Sequence, residues 1–175
     1  MSMDYAQMVD GCRRHKGAAQ RALYDAFAPM VLGICRRYAS CHDEAKDLMQ
    51  DSMVKVYEKI GTVRETERLK SWIYTLTMNT CVQYCRSRAK VVLTDDLESH
   101  LVNDNTDLPY SIEDIVEAMG CLTPSQRLAF NLCDVEEGEY NEVAQQMRCS
   151  ETNVRVLLSR ARARLREYLE NKTKR

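Results

Sequence analysis

The residues best placed to do chemistry are hydrogen-bonding and cationic side chains near the C-terminal end. Ser150, Glu151, Thr152 and Asn153 are followed by Arg155, Arg160, Arg162, Arg164 and Arg166. Arginine presents a planar fork that meets two acceptors at once, whether a guanine edge or a phosphate, while Ser, Thr and Asn are adaptable donors and acceptors. A second group of polar and cationic side chains, Arg68, Asn79, Gln83, Arg86 and Arg88, stands earlier in the chain. Trp72, the only tryptophan, offers a stacking surface, although its helical register also suits a core.

Other chemistries find little material. The sequence has no Gly-rich phosphate loop, zinc-protease motif or nucleophile motif, and its three histidines are scattered at 15, 42 and 100. No catalytic residue is assigned and no enzyme activity is expected. The eight cysteines form no CxxC pair. Cys35, Cys41 and His42 lie close in sequence, as do Cys81 and Cys85 at i, i+4. A zinc or thiol-redox site there is weighed against reduced, buried thiols packing as small hydrophobes; the missing zinc spacings favour the thiols. No metal or cofactor is expected.

The C-terminal polar set needs a helix to carry it. Val154, Leu158, Ala161 and Leu165 recur at i, i+4, i+7, i+11, a single apolar stripe at helical period. Ser150 suits the N-cap and Glu151 the positive end of the helix dipole. In front stands a shorter helical segment, Tyr140–Met147, closed by the turn Arg148-Cys149-Ser150. Helix, tight turn and capped second helix with a polar, basic outer face is the helix-turn-helix pattern, whose second helix enters the major groove of duplex DNA. An ordinary helical hairpin with a solvated face fits the same spacing.

Composition sets the frame. The 175 residues suit one medium or two small domains; 45% hydrophobic content supports packed cores, and six glycines and three prolines disfavour a turn-rich β fold. No apolar run approaches the roughly 20 residues that span a bilayer, and the N-terminus lacks a signal-peptide core, so a cytoplasmic location is expected. Net charge is −1 and the isoelectric point near 6.3, but the distribution is uneven. Between Lys90 and Arg127 there is no Lys or Arg, while Asp and Glu recur; basic clusters lie on both sides.

In chain order, helices are expected over Met3–Arg14, over Gly17–Ala39 with Pro29 kinking or dividing it, from a cap at Asp43 to about Ile60 with Gly61 as C-cap, and over Leu69–Arg88. Thr62–Arg68 reads as a polar loop. The stretch Val91–Pro109 reads as a tether, and Thr123-Pro124 opens another helix. The expected fold is all-α, with a helical domain over 1–90, a flexible acidic linker over 91–110 and a helix-turn-helix domain over 111–175.

These residues carry a family resemblance. Ala22–Tyr38 followed by Glu44–Tyr57 resembles region two of the extracytoplasmic-function sigma factors, and Leu69–Asn79 the later half of that region. Leu122–Phe130 together with the helix-turn-helix, ending Leu158–Leu165, resembles region four. The resemblance implies a non-catalytic subunit that binds core RNA polymerase, places it at promoter DNA and helps open the duplex. It implies that Asp47, Gln50 and Asp51 dock on the polymerase, where a plain solvated helix face is the alternative. It assigns Arg68, Asn79, Gln83, Arg86 and Arg88 to the −10 element. Ser150, Glu151, Thr152, Asn153 and Arg155 fall at the major groove of the −35 element, with Arg160, Arg162, Arg164 and Arg166 holding phosphates or facing solvent. The sequence departs from the family at Thr75, Met78 and Val156-Leu157, where basic residues are frequent, and fewer cations there should weaken nonspecific phosphate contact. An anti-sigma factor is a usual partner in the family, but nothing in this chain identifies one. No membrane insertion and no small-molecule substrate are implied. The competing readings are a stand-alone helix-turn-helix regulator binding a duplex operator, and a metal or thiol sensor.

Overall fold

A computed structural model describes residues 4–89 and 111–173, and among them there is no strand. Eight helices are described: α1 (Tyr5–Arg13), α2 (Gly17–Tyr38), α3 (His42–Lys59), α4 (Leu69–Ala89), α5 (Ile112–Ala118), α6 (Pro124–Phe130), α7 (Tyr140–Met147) and α8 (Glu151–Thr173). The acidic stretch 91–110, expected as a linker, lies outside the described residues. The chain divides into two compact units. One holds the chain up to Arg36 and from His42 to Cys81; the other holds Arg37–Cys41 and everything from Val82 on.

In the first unit, α1 and α2 approach so closely at Gly11 that an added Cβ would come within 2.4 Å of the Ala19 Cβ, a steric reason for glycine there. Val9, Leu23, Val31, Val56, Leu69 and Ile73 are fully buried and form the apolar interior. Pro29 does not divide α2, which runs unbroken from Gly17 to Tyr38. The missing N–H orphans only the carbonyl of Asp25, and both residues are exposed, so water can take that bond. Asp43 is not the cap of α3 but sits with Glu44 in its first turn, where the dipole favours acids.

Gly61 does not end α3 in a left-handed cap; it lies in a 3-10 turn, Ile60–Thr62, and no described glycine has positive φ. The expected polar loop is partly ordered by a second 3-10 turn, Thr66–Arg68, and anchored by Val63, which is buried and whose carbonyl accepts from Arg13 Nη2.

In the second unit, α5 and α6 each begin with a capping box, Ser111 with Asp114 and Thr123 with Gln126, and Pro124 takes the first-turn position. After Phe130 the helix widens into a π turn, Asn131–Val135. Arg127 is only 2% exposed, and its guanidinium donates to the carbonyls of Met119 (2.9 Å), Leu122 (2.9 Å) and Tyr38 (3.1 Å). Asn131 Nδ2 donates to the Arg37 carbonyl at 2.8 Å. A buried cation is tolerable here because carbonyls at chain turns supply several acceptors together. Ala118, Met119 and Leu122 pack with Ala161, Leu165 and Leu169 of α8 as an apolar core.

Candidate nucleic-acid and polymerase surfaces

The polar set of α8 is built from its N-terminus. Arg148 adopts the left-handed conformation (φ 56°, ψ 46°) and its N–H closes α7 on the carbonyls of Ala144 and Gln145. The turn then presents Ser150, whose Oγ accepts from the Asn153 N–H at 3.2 Å, as a serine N-cap should. Val154, Leu158, Ala161 and Leu165 are all buried, so the expected stripe is the packed face of α8. The opposite face leaves Ser150, Glu151, Thr152, Asn153 and Arg155 exposed together.

Arg155 is held on two sides. Its Nη2 lies 3.7 Å from Glu151 Oε2, and its guanidinium carbon sits 5.1 Å from the centroid of the Tyr140 ring. Tyr140 is therefore a member of this surface that sequence reasoning left out; the missed signal is an aromatic at the first residue of the preceding helix. Arg162 is held by a carboxylate. Its Nε and Nη2 meet the two carboxylate oxygens of Asp134 at 2.9 and 2.6 Å, which fills the fork the sequence offers to phosphate. Arg160 is half-buried.

The second polar set runs along α4. Asn79 and Gln83 are exposed, Arg86 is half-buried, and Arg88 stacks over the Tyr84 ring at 4.9 Å. Asn79, Gln83 and Arg86 follow i, i+4, i+7 and so share a helix face. Within the second unit, Arg86 lines a cavity of about 180 Å³ together with Arg148, Cys149 and Asn153, so the structure brings one residue of each predicted DNA-facing set together. Arg68 is exposed and pairs with Glu65 at 2.9 Å. Trp72 is half-buried, between the stacking and the core readings of its register.

The third surface lies on α3. Asp47, Gln50 and Asp51 are exposed, while Leu48, Met49, Ser52 and Met53 turn inward. Val54 is 54% exposed and follows Asp47, Gln50 and Asp51 at helical spacing. An apolar side chain inside an acidic, polar face is the residue that charge reading missed there.

Comparison with known proteins agrees with this organisation. Residues 23–91 match the Sigma-70 region 2 family and residues 112–165 match the Sigma-70 region 4 family. The ECF RNA polymerase sigma-E factor of Haemophilus influenzae is 26% identical, covering 94% of this chain and 93% of its own. The ECF RNA polymerase sigma factor SigM of Bacillus subtilis is 30% identical, covering 70% of this chain and 77% of its own. A solved structure of the sigma factor RpoE of Bartonella quintana, in complex with the anti-sigma factor NepR, superposes with a TM-score of 0.49 at 25% identity, covering 86% of this chain and 96% of that one. With regions 2 and 4 matched in order, and with SigM 30% identical over 77% of its own length, the chain belongs to the extracytoplasmic-function sigma factors of the sigma-70 family.

Proposed function

We propose that the exposed faces of α3, α4 and α8 divide the work of promoter-specific initiation. Asp47, Gln50 and Asp51, with Val54 among them, dock on core RNA polymerase. Arg68, Asn79, Gln83, Arg86 and Arg88 serve the −10 element, where separated bases need polar edges and nearby cations. Ser150, Glu151, Thr152, Asn153 and Arg155 enter the major groove of the −35 element, with Arg160 toward phosphate. Arg162 acts indirectly, by fixing α8 against Asp134. The sequence domains, 1–90 and 111–175, are the proposed carriers of the two promoter contacts. The protein works without catalysis of its own, in the cytoplasm with the polymerase, and an anti-sigma factor is its proposed regulator.

The observation that carries this reading is the N-terminus of α8: a serine-capped helix with five adjacent polar residues outward and an unbroken apolar stripe inward. Run-off transcription with added core polymerase across a promoter library tests it. Initiation dependent on this chain, and sensitive to both elements, is expected. Tight operator binding as a symmetric dimer without polymerase, and no effect on core enzyme, would overturn it.

A further inference from the structure

Three helices of the first unit meet around two sulfur atoms. Cys35 of α2 and Cys81 of α4 are both 0% exposed, and the Cys81 thiol points its hydrogen at Cys35 Sγ across 4.0 Å. Ser52 of α3, also 0% exposed, places its hydroxyl 4.0 Å from the same Cys35 Sγ while donating to the Leu48 carbonyl at 2.8 Å. Nothing in promoter recognition uses this group. We propose that Cys35 and Cys81 are a two-electron redox site, closed to an intramolecular disulfide by hydroperoxides and reopened by dithiols.

The placement of the sulfurs is the first support. They lie 4.0 Å apart, next to van der Waals contact, and a disulfide needs about 2.05 Å between them, so closure requires the side chains to turn and α2 and α4 to adjust around them. The second support is how the thiols differ. Burial pushes the Cys12, Cys121 and Cys149 thiols up, and Cys133 to about 11. Cys35 moves the other way: the Cys81 hydrogen bond draws it below the usual thiol range, against burial. The thiolate is the reactive form, so Cys35 is the attacking sulfur.

The chemistry balances. The Cys35 thiolate attacks one oxygen of the hydroperoxide; the O–O bond breaks, the alcohol or water leaves with a proton, and Cys35 becomes a sulfenic acid. Cys81 then attacks the Cys35 sulfur; the S–S bond forms, the S–O bond breaks, and water leaves carrying the Cys81 proton. Two thiols are oxidised by two electrons and one peroxide is reduced. Burial makes access depend on local opening between α2 and α4, so the site answers sustained oxidant rather than a brief pulse. Dense packing leaves little slack, so closure shifts α4 on α2 and displaces Asn79 and Gln83, two residues to either side of Cys81. That last consequence rests on the proposed −10 role of α4; the site itself does not.

The full-length reduced protein, treated with hydrogen peroxide, alkylated and digested without reductant, tests the site. A peptide joining Cys35 to Cys81, lighter by two hydrogens and released by dithiothreitol, is expected; exposed Cys41 serves as the internal measure of oxidant dose. Oxidation of Cys41 while Cys35 and Cys81 stay fully alkylatable after denaturation would overturn the proposal, as would bridging of Cys81 to any other cysteine. The wild-type map needs no variant to fold. Run-off transcription then separates the consequence: reversible loss on oxidation is expected in the wild type and absent in Cys81→Ala. A Cys35–Cys81 bridge with unchanged transcription would confirm the redox site and reject the expected displacement of the −10 face of α4.

Discussion

Arg162 on α8 grips Asp134 on the π turn through both carboxylate oxygens, at 2.9 and 2.6 Å, and so ties the recognition helix to the segment that follows α6. The Arg162 side chain is 38% exposed and that of Asp134 22%, which puts the pair between a surface ion pair and a buried one. Arg162→Ala should therefore lower stability by about 1 kcal/mol. Urea denaturation followed by circular dichroism measures this. A residue holding phosphate would instead lower the salt slope of holoenzyme–promoter binding by about 1 and leave the urea midpoint alone. We expect the first result.

Arg155 shows the opposite economy. Its partners, Glu151 and the Tyr140 ring, hold it without burying it, so the fork stays presented. Arg155→Ala should weaken promoter-dependent transcription by about 1–3 kcal/mol of binding, concentrated on one base pair of the −35 element. Tyr140→Leu should weaken it less, by about 0.5–1 kcal/mol, because it removes the ring face and not the fork. Transcription unchanged across −35 variants with Arg155→Ala would remove the base-reading role.

These two arginines show what a sequence can and cannot tell. The cap at Ser150 and the stripe Val154, Leu158, Ala161, Leu165 were readable because both depend on residues within a few turns of one another. The three-residue turn was readable for the same reason. Arg162 and Arg155 look alike in sequence; only the position of Asp134, 28 residues earlier, separates them. Arg127 is a stronger case. A charged residue on a short helix reads as solvated, yet carbonyls at Met119, Leu122 and Tyr38 converge on it, and the last lies 89 residues away. Gly61 and Arg148 exchange roles against local preference: the glycine stays in ordinary backbone and the arginine takes the left-handed turn. Backbone propensity was the weaker force at both positions.

Asp51 tests the face on α3. It is exposed, so a substitution should stay within about 0.5 kcal/mol of wild-type stability. Asp51→Arg reverses charge where docking is proposed and should weaken holoenzyme assembly at least about tenfold, since like charges brought together at an interface are costly. Fluorescence titration of labelled protein with core polymerase, alongside a urea curve, separates the two effects. Unaltered assembly would contradict the docking assignment.

Lys172 near the end of α8 donates to Glu117 and to Asp114 of α5, the latter at 2.9 Å. The Ser111 hydroxyl, and after it Lys172, holds the Asp114 carboxyl below its ordinary range; Lys172 does the same for Glu117. Hydrogen bonds to Glu117 and then Asp114 raise Lys172 in turn. A carboxylate whose folded pKa is depressed contributes stability above its unfolded pKa and loses it as pH falls through the folded value. A raised lysine contributes below its unfolded value and stays charged throughout the acid range. The contribution of this cluster should thus be constant from neutral pH down to about 5, begin to fall near the unfolded carboxylate values of about 4, and vanish only below the depressed folded values. Thermal melts of wild type and Lys172→Met from pH 7 to about pH 2 check this: wild type should melt higher at neutral pH, and the two curves should approach each other only in the strongly acid range. A gap that stayed undiminished to the acid end would mean that the Lys172 stem packs on α5, and that its charge contributes nothing there.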